Sequence, residues 1–232
     1  MTGLNLNTSI TGDRVVLNRA LRVVYNWISE LLSDLVGVHL LGPAFALAML
    51  EFQSFEEDWT EGSLTHPPTV MRFSLIQDEL RDLGWLDAVL GPRHLWAEVQ
   101  PHSPKALVAG WPLDKRLIEL VAAKIPTYFA TCQEVVRNVF SARAFGPANF
   151  NADDAELRSL LECYLPPAER VRPDGTATPF PPESIINSCW LFWAEGTPGW
   201  SDHQDDRYES RALLGRLLFK ALELSRIRSR MS

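Results

Sequence analysis

The sequence lacks any run of about 20 apolar residues, which is the length that a membrane-spanning helix needs. Its longest nearly uncharged stretch runs from Leu35 to Leu50 and contains His39, Gly42 and Pro43. The first residues also lack a basic segment followed by an apolar one, so we expect no secretory signal. These absences predict a cytoplasmic protein without a transmembrane helix.

Cysteine and positive charge are also scarce. The three cysteines, Cys132, Cys163 and Cys189, are odd in number and form no CxxC pair. We therefore expect reduced thiols rather than a disulfide framework. A net charge of -7 and a pI near 5.3 argue against a general affinity for the phosphates of nucleic acid. No nucleic acid partner is expected.

Three widespread catalytic or nucleotide-binding motifs are missing. The sequence has no Walker-type glycine loop, no GxGxxG after a strand and no GxSxG elbow. Nothing in the sequence therefore indicates a nucleotide-binding enzyme or a serine hydrolase of these types.

What the sequence does contain is a composition typical of folded proteins, with 46% hydrophobic and 22% charged residues. Apolar residues recur at spacings of four and three, and no alternating strand pattern is evident. The fold class that we predict is all-α, a multi-helix globular domain with little or no β-sheet. The predicted core-facing stripe of the first helix consists of Leu17, Leu21, Val24, Ile28, Leu31 and Leu35.

Proline and glycine mark the expected boundaries. Gly42-Pro43 should end the first helix and open the second, and Pro126 should kink or split a later helix. Asn151 is the expected cap of another helix, and residues 166–182 the expected surface loop or linker. Breaks between residues 84 and 112 indicate two regions, 1–90 and 91–232. We expect these regions to form either one domain or two.

One ordered set of residues suggests chemistry. Glu30 and Asp34 lie four residues apart, so a helix presents both carboxylates on one face. An Ala- and Leu-rich segment follows at Gly42 to Ala48, then Thr-His-Pro-Pro at residues 65–68, and then Arg72. This order resembles the zinc metallopeptidases of the HtpX and CAAX prenyl protease type.

The resemblance implies roles for these residues. In that family the Glu of ExxxD is the third zinc ligand, which corresponds to Glu30, and the Asp orients a catalytic histidine, which corresponds to Asp34. His66 and Arg72 match the segment that opens a later helix. The family's first two zinc ligands and its general base come from HExxH, and that motif is absent from this sequence. A catalytic zinc needs three protein ligands and a water activated by a base.

The resemblance therefore predicts a degenerate scaffold rather than an enzyme. We expect a non-catalytic interaction or regulatory protein with another protein as partner and without a cofactor. The alternative is the C-terminal portion of a zinc metallopeptidase whose HExxH lies outside this chain, with Glu30 as a metal ligand and zinc as cofactor. An enzyme of an unrelated type, with a site formed by residues distant in sequence, ranks third.

Other polar residues have simpler explanations. His94, Glu98 and His102 are spaced by four, but Pro101 interrupts the helix that would align them as metal ligands. His39 lies on an apolar stretch and is expected to be half-buried, with its hydrogen bonds satisfied. The basic terminal helix is expected to pack on the core, with its last arginines complementing the helix dipole. An acidic partner or a membrane surface is the alternative for that helix.

Overall fold

The structure, a computed structural model, describes residues 6–53, 62–85, 112–140, 144–198, 200 and 207–230. Over these ranges the chain forms seven helices and one two-stranded sheet, so the predicted all-α class is confirmed. None of the described helices has the length and apolar character required to cross a membrane. The elements are α1 Leu6–Leu41, α2 Pro43–Gln53, α3 Thr69–Asp82, α4 Pro112–Phe140, α5 Pro147–Glu162, β1 Glu169–Val171, β2 Ala177–Pro179, α6 Pro182–Ala194 and α7 Arg207–Ser229.

The junction between α1 and α2 lies where the sequence predicts it. Gly42 has a φ of +56°, and its N–H donates to the carbonyl of Val38 at 2.7 Å, which closes α1. A Cβ at this position would lie 2.9 Å from Cζ2 of Trp85. Glycine is therefore required here both by the left-handed backbone and by the close approach of the indole. Pro43 then supplies the first residue of α2.

The start of α5 corrects one prediction. Asn151 lies inside the helix, which begins at Pro147 with Gly146 as its N-cap and without a side-chain capping hydrogen bond. Proline is favoured at the first helical position because its φ is already helical and its missing N–H would have no helical partner. That preference outweighs the capping ability of Asn151.

Within residues 166–182, predicted as a surface loop or linker, residues 169–179 form a β-hairpin whose turn is exposed. β1 and β2 pair antiparallel, with Arg170 opposite Thr178. The Asp174 carboxylate accepts hydrogen bonds from the N–H and hydroxyl of Thr176 at 2.9 and 2.6 Å, which fixes the turn. Phe180, just after β2, is 2% exposed and belongs to the core. Strands of three residues are too short to show a sequence alternation.

The helix that contains Pro126 was predicted to be kinked or split at that residue. α4 continues from Pro112 to Phe140 through Pro126, so the helix is not split there. Pro126 is exposed, where water can bond the carbonyl that its missing N–H leaves unsatisfied.

The chain forms two compact units. Unit 1 consists of Met1–Val36, Glu56–Leu75 and Pro101–Ser141, and unit 2 of Gly37–Phe55, Ile76–Gln100 and Ala142–Ser232. Each unit draws on segments from both sides of residue 90. The units therefore do not follow the boundary between regions 1–90 and 91–232, and a division of roles between those regions stays a prediction.

The core of unit 1 corrects part of the predicted face of α1. Leu31 and Leu35 are each 1% exposed, and Val24 and Ile28 are partly buried and pack against the same core, as expected. Leu17 and Leu21, by contrast, are 58% and 57% exposed. The buried face instead includes Val23 and Trp27, and it is rotated by roughly 70° from the predicted one at 100° per residue. The apolar residues of α1 cover more than one face, and the large indole of Trp27, 0% exposed, lies on the buried one. The helix packs against α4 residues in a core formed by Val23, Trp27, Leu31, Leu35, Leu117, Ile118, Val121, Ile125, Phe129 and Val136.

The core of unit 2 is built from α5, the hairpin, α6 and α7. Its buried residues are Leu157, Leu161, Ala168, Phe180, Ile185, Cys189, Phe192, Trp200, Leu214, Leu217 and Ala221. Asn187 on α6 also joins the α1–α2 junction, because its side chain accepts from the Ala44 N–H at 2.9 Å and donates to the Leu41 carbonyl at 2.8 Å. One buried amide thus satisfies groups at both helix ends.

Two leucines of α1 test the rotated face. Leu31→Ala should lower the free energy of unfolding by about 2 to 5 kcal/mol, because the lost burial and the remaining cavity both destabilise the fold. Leu21→Ala, the same change two to three turns earlier, should alter it by less than about 0.5 kcal/mol. Urea unfolding followed by circular dichroism measures both. Equal losses in the two variants would contradict the assigned face.

Candidate functional site

The Thr-His-Pro-Pro segment is held against α1 by hydrogen bonds within unit 1. Trp27 Nε1 donates to the carbonyl of Ser63 at 2.9 Å. Asn26 Nδ2 donates to the carbonyl of Leu64 at 3.3 Å. The Ser63 hydroxyl oxygen in turn accepts the backbone N–H of His66 at 2.9 Å, and α3 begins at Thr69. These contacts fix the position of His66 beside α1.

The four residues that the sequence predicts as a site lie together and form an ion cluster, defined as Glu30, Asp34, His66 and Arg72. Arg72 donates from Nε and Nη2 to the two carboxylate oxygens of Asp34, at 2.8 Å each. Arg72 Nη1 lies 3.3 Å from Glu30 Oε2, and His66 Nδ1 contacts Glu30 Oε1. The arrangement is a planar bidentate pair extended by a second carboxylate and an imidazole.

Burial differs sharply within the ion cluster. The Asp34 side chain is 5% exposed and Arg72 is 17% exposed, while Glu30 is 25% and His66 is 66% exposed. Burial raises the pKa of the Asp34 carboxyl above its ordinary value, against the lowering effect of Arg72. Glu30 Oε2 is buried and makes no hydrogen bond in the described part of the chain, so Arg72 Nη1 is its compensating charge. The cluster is thus ionic inside and open to solvent at His66.

The ion cluster does not fit a catalytic zinc as it stands. Zinc in such a site is held by three protein ligands, and here Glu30 and His66 are the two groups that lie outside the Asp34–Arg72 pair. The Arg72 guanidinium beside both carboxylates would also repel a divalent cation. Among the described residues, no group of three His, Cys, Asp or Glu side chains is arranged to hold a metal.

Unit 2 contains a buried pair of a histidine and a carboxylate that the sequence did not predict. His39, expected to be half-buried, is 1% exposed, and its Nε2 lies 2.8 Å from Oε1 of Glu79, which is 0% exposed. Nothing in the sequence pairs these two residues, because 40 positions separate them. They form a buried polar link between α1 and α3 that sequence periodicity cannot reveal.

A second polar network in unit 2 was also not predicted. Arg158 donates to Asp154 at 2.7 Å and to Glu195 at 2.9 Å, and Arg170 donates to Asp153 at 2.9 Å. These contacts connect α5 with the end of α6 and with β1. The i,i+4 spacing of Asp154 and Arg158 is typical of an ion pair on a helix surface. The pairs of Arg158 with Glu195 and of Arg170 with Asp153 depend on the tertiary fold.

Some predicted residues fall outside the described ranges. His94, Glu98 and His102 are among them, so that alternative metal site stays a prediction. Of the cysteines, Cys132 is half-buried, Cys163 exposed and Cys189 buried, and all three are free.

Comparisons with known proteins return no relative. No family model, no curated protein and no solved structure matches this chain. The resemblance to zinc metallopeptidases therefore stays a prediction from the short motifs around Glu30 and Arg72.

Proposed function

We propose that the chain is a non-catalytic interaction or regulatory protein, on a helical scaffold that resembles part of a zinc metallopeptidase. The ion cluster supports this proposal because Glu30 and Asp34 are already engaged by His66 and Arg72. Their negative charge is compensated inside the protein, so the cluster acts as a structural connection between α1 and the start of α3.

The observation that carries the proposal is a set of exposed apolar side chains on two helices of unit 1. On α1, Leu17, Leu21 and Tyr25 are 58%, 57% and 72% exposed. They lie at successive spacings of four, within an arc of about 80° of the helix. Single exposed leucines are ordinary, but a row of large apolar residues on one helix face is typical of protein interfaces.

The second helix repeats the pattern. On α4, Leu120, Tyr128, Val135 and Val139 are 59%, 53%, 55% and 65% exposed. These four positions fall within an arc of about 100°, which also contains the buried Leu117 and Val121 and so partly overlaps the core-facing side of the helix. We infer a protein partner that presents an apolar helical face to these helices. The net charge of -7 supports a protein rather than nucleic acid or an anionic membrane as that partner. A cytoplasmic location is part of this proposal.

Site-specific crosslinking in the source cells tests the interface. A photoreactive phenylalanine analogue in place of Tyr25 or Tyr128 should yield one discrete protein adduct, because both aromatic rings lie in the proposed contact. Leu21→Gln should reduce the Tyr25 adduct at least about tenfold while leaving the free energy of unfolding within about 0.5 kcal/mol. The same analogue at Glu162, an exposed position of α5 in unit 2, is the control.

Two outcomes would refute the proposed interface. One is the absence of an adduct from both tyrosine positions, and the other is an equal yield of the same adduct from position 162. An adduct that proves to be a second copy of this chain would make self-association the interaction.

The second candidate is the C-terminal portion of a zinc metallopeptidase whose HExxH lies outside this chain. The observation in its favour is that Glu30, Asp34, His66 and Arg72, which the resemblance names, lie in one cluster. We rank it below the interaction protein because Arg72 already pairs with both carboxylates. Glu30 would be a zinc ligand only if the side chains of Arg72 and His66 moved out of contact with its carboxylate.

Zinc binding separates the two candidates. The isolated chain, equilibrated with excess zinc and desalted, should retain far less than about one zinc per chain, since a catalytic site needs three ligands. Elemental analysis measures the ratio, with Glu119→Gln on α4 as a control for loss of an exposed carboxylate. One zinc per chain that is lost in Glu30→Gln but kept in Glu119→Gln would favour the peptidase.

A further inference from the structure

Unit 2 contains a pocket between α6 and α7. Its volume is about 270 Å³, and its lining includes Cys189, Trp190, Trp193, Arg211, Leu214 and Phe219. This is many times the roughly 10 to 15 Å³ that one water needs. It is near the lower end of the range of about 300 to 1,000 Å³ for ligand sites, so it suits a small molecule better than a helix of a partner.

The interior of the pocket is apolar. Cys189 is 2% exposed, and burial raises the pKa of its thiol to about 12, so the thiol is neutral at physiological pH. Two indoles, those of Trp190 and Trp193, and the ring of Phe219 provide aromatic surface. Flat aromatic walls favour a ligand with an aromatic or other apolar body.

A glycine in the middle of α7 keeps space open at this pocket. Gly215 lines it, and a Cβ added there would meet no atom within 4 Å. Glycine destabilises a helix interior relative to alanine, and no close packing at this position requires it. The position is therefore available for a side chain that fills the pocket.

Among the described residues that line the pocket, the charged one is Arg211. Its side chain is 52% exposed, and its Nη1 forms an ion pair with Glu51. A guanidinium has five N–H donors, so a contact at one nitrogen leaves others for a second anion. A carboxylate on a bound ligand would form an ion pair with Arg211, as the Glu51 carboxylate does.

We propose that this pocket binds a small molecule with an aromatic or other apolar body and a single carboxylate. The body occupies the space between the indoles of Trp190 and Trp193 and the ring of Phe219, and the carboxylate pairs with Arg211. This site lies in unit 2 and is independent of the helix faces of unit 1 that carry the proposed function.

Calorimetric titration of the full chain with 4-phenylbutyrate and with its neutral amide tests the charge requirement. The acid should bind once per chain and at least about fivefold more tightly than the amide, a modest factor because Arg211 is half exposed. Arg211→Gln should remove that difference, and Glu51→Gln should strengthen acid binding by removing a competing carboxylate. Arg216 is an exposed arginine of α7 outside the pocket, so Arg216→Gln is the matched control. It should leave the difference in affinity between the acid and the amide unchanged.

Filling the pocket tests its location. Gly215→Leu should weaken acid binding at least about tenfold while keeping the thermal midpoint at or above that of the natural chain, because leucine favours a helix interior. Gly146→Leu, at another glycine with open space around it, should bind as the natural chain does. If Gly215→Leu does not fold, Gly215→Ala tests the same position with a smaller side chain.

Three results would overturn the proposal. They are no saturable binding of either compound, equal affinity for the acid and the amide, and unchanged acid binding in the folded Gly215 variants.

Discussion

The buried indole of Trp27 lies on the inward face of α1 and joins that helix to a neighbouring loop of unit 1. Its indole is 0% exposed and donates to the carbonyl of Ser63 at 2.9 Å, which also anchors the loop that carries His66. Asp34 lies seven residues further along and therefore on the same helix face. Its carboxylate enters the interior, where burial raises its pKa, and Arg72 supplies two hydrogen bonds that compensate the charge. The ion cluster thus lies on the face of α1 that Trp27 occupies.

The fold was predictable where proline and glycine fix the backbone. Gly42 and Pro43 mark a helix junction that the structure confirms, because each residue has a strong positional preference. The face of α1 was predictable only in part, since its apolar residues satisfy two overlapping helical stripes. The hairpin was missed for another reason, because Asp174 and Thr176 stabilise a turn between strands too short to show periodicity.

The candidate site was also predictable only in part. Sequence order named Glu30, Asp34, His66 and Arg72, and the four side chains lie together in the structure. The bidentate geometry by which Arg72 contacts both oxygens of Asp34 depends on the orientation of two helices, because 38 positions separate the two residues. Whether this cluster descends from a metallopeptidase site stays a prediction. Its geometry explains a structural role without that ancestry.

A double-mutant cycle on Asp34 and Arg72 tests most directly whether the ion cluster is a structural connection. The free energy of unfolding in urea at neutral pH is measured for the natural chain, Asp34→Ala, Arg72→Ala and the double variant. A buried bidentate pair should give a coupling energy of about 1.5 to 3 kcal/mol. A coupling below about 0.5 kcal/mol would mean that the two side chains stabilise the fold independently, and would contradict the account.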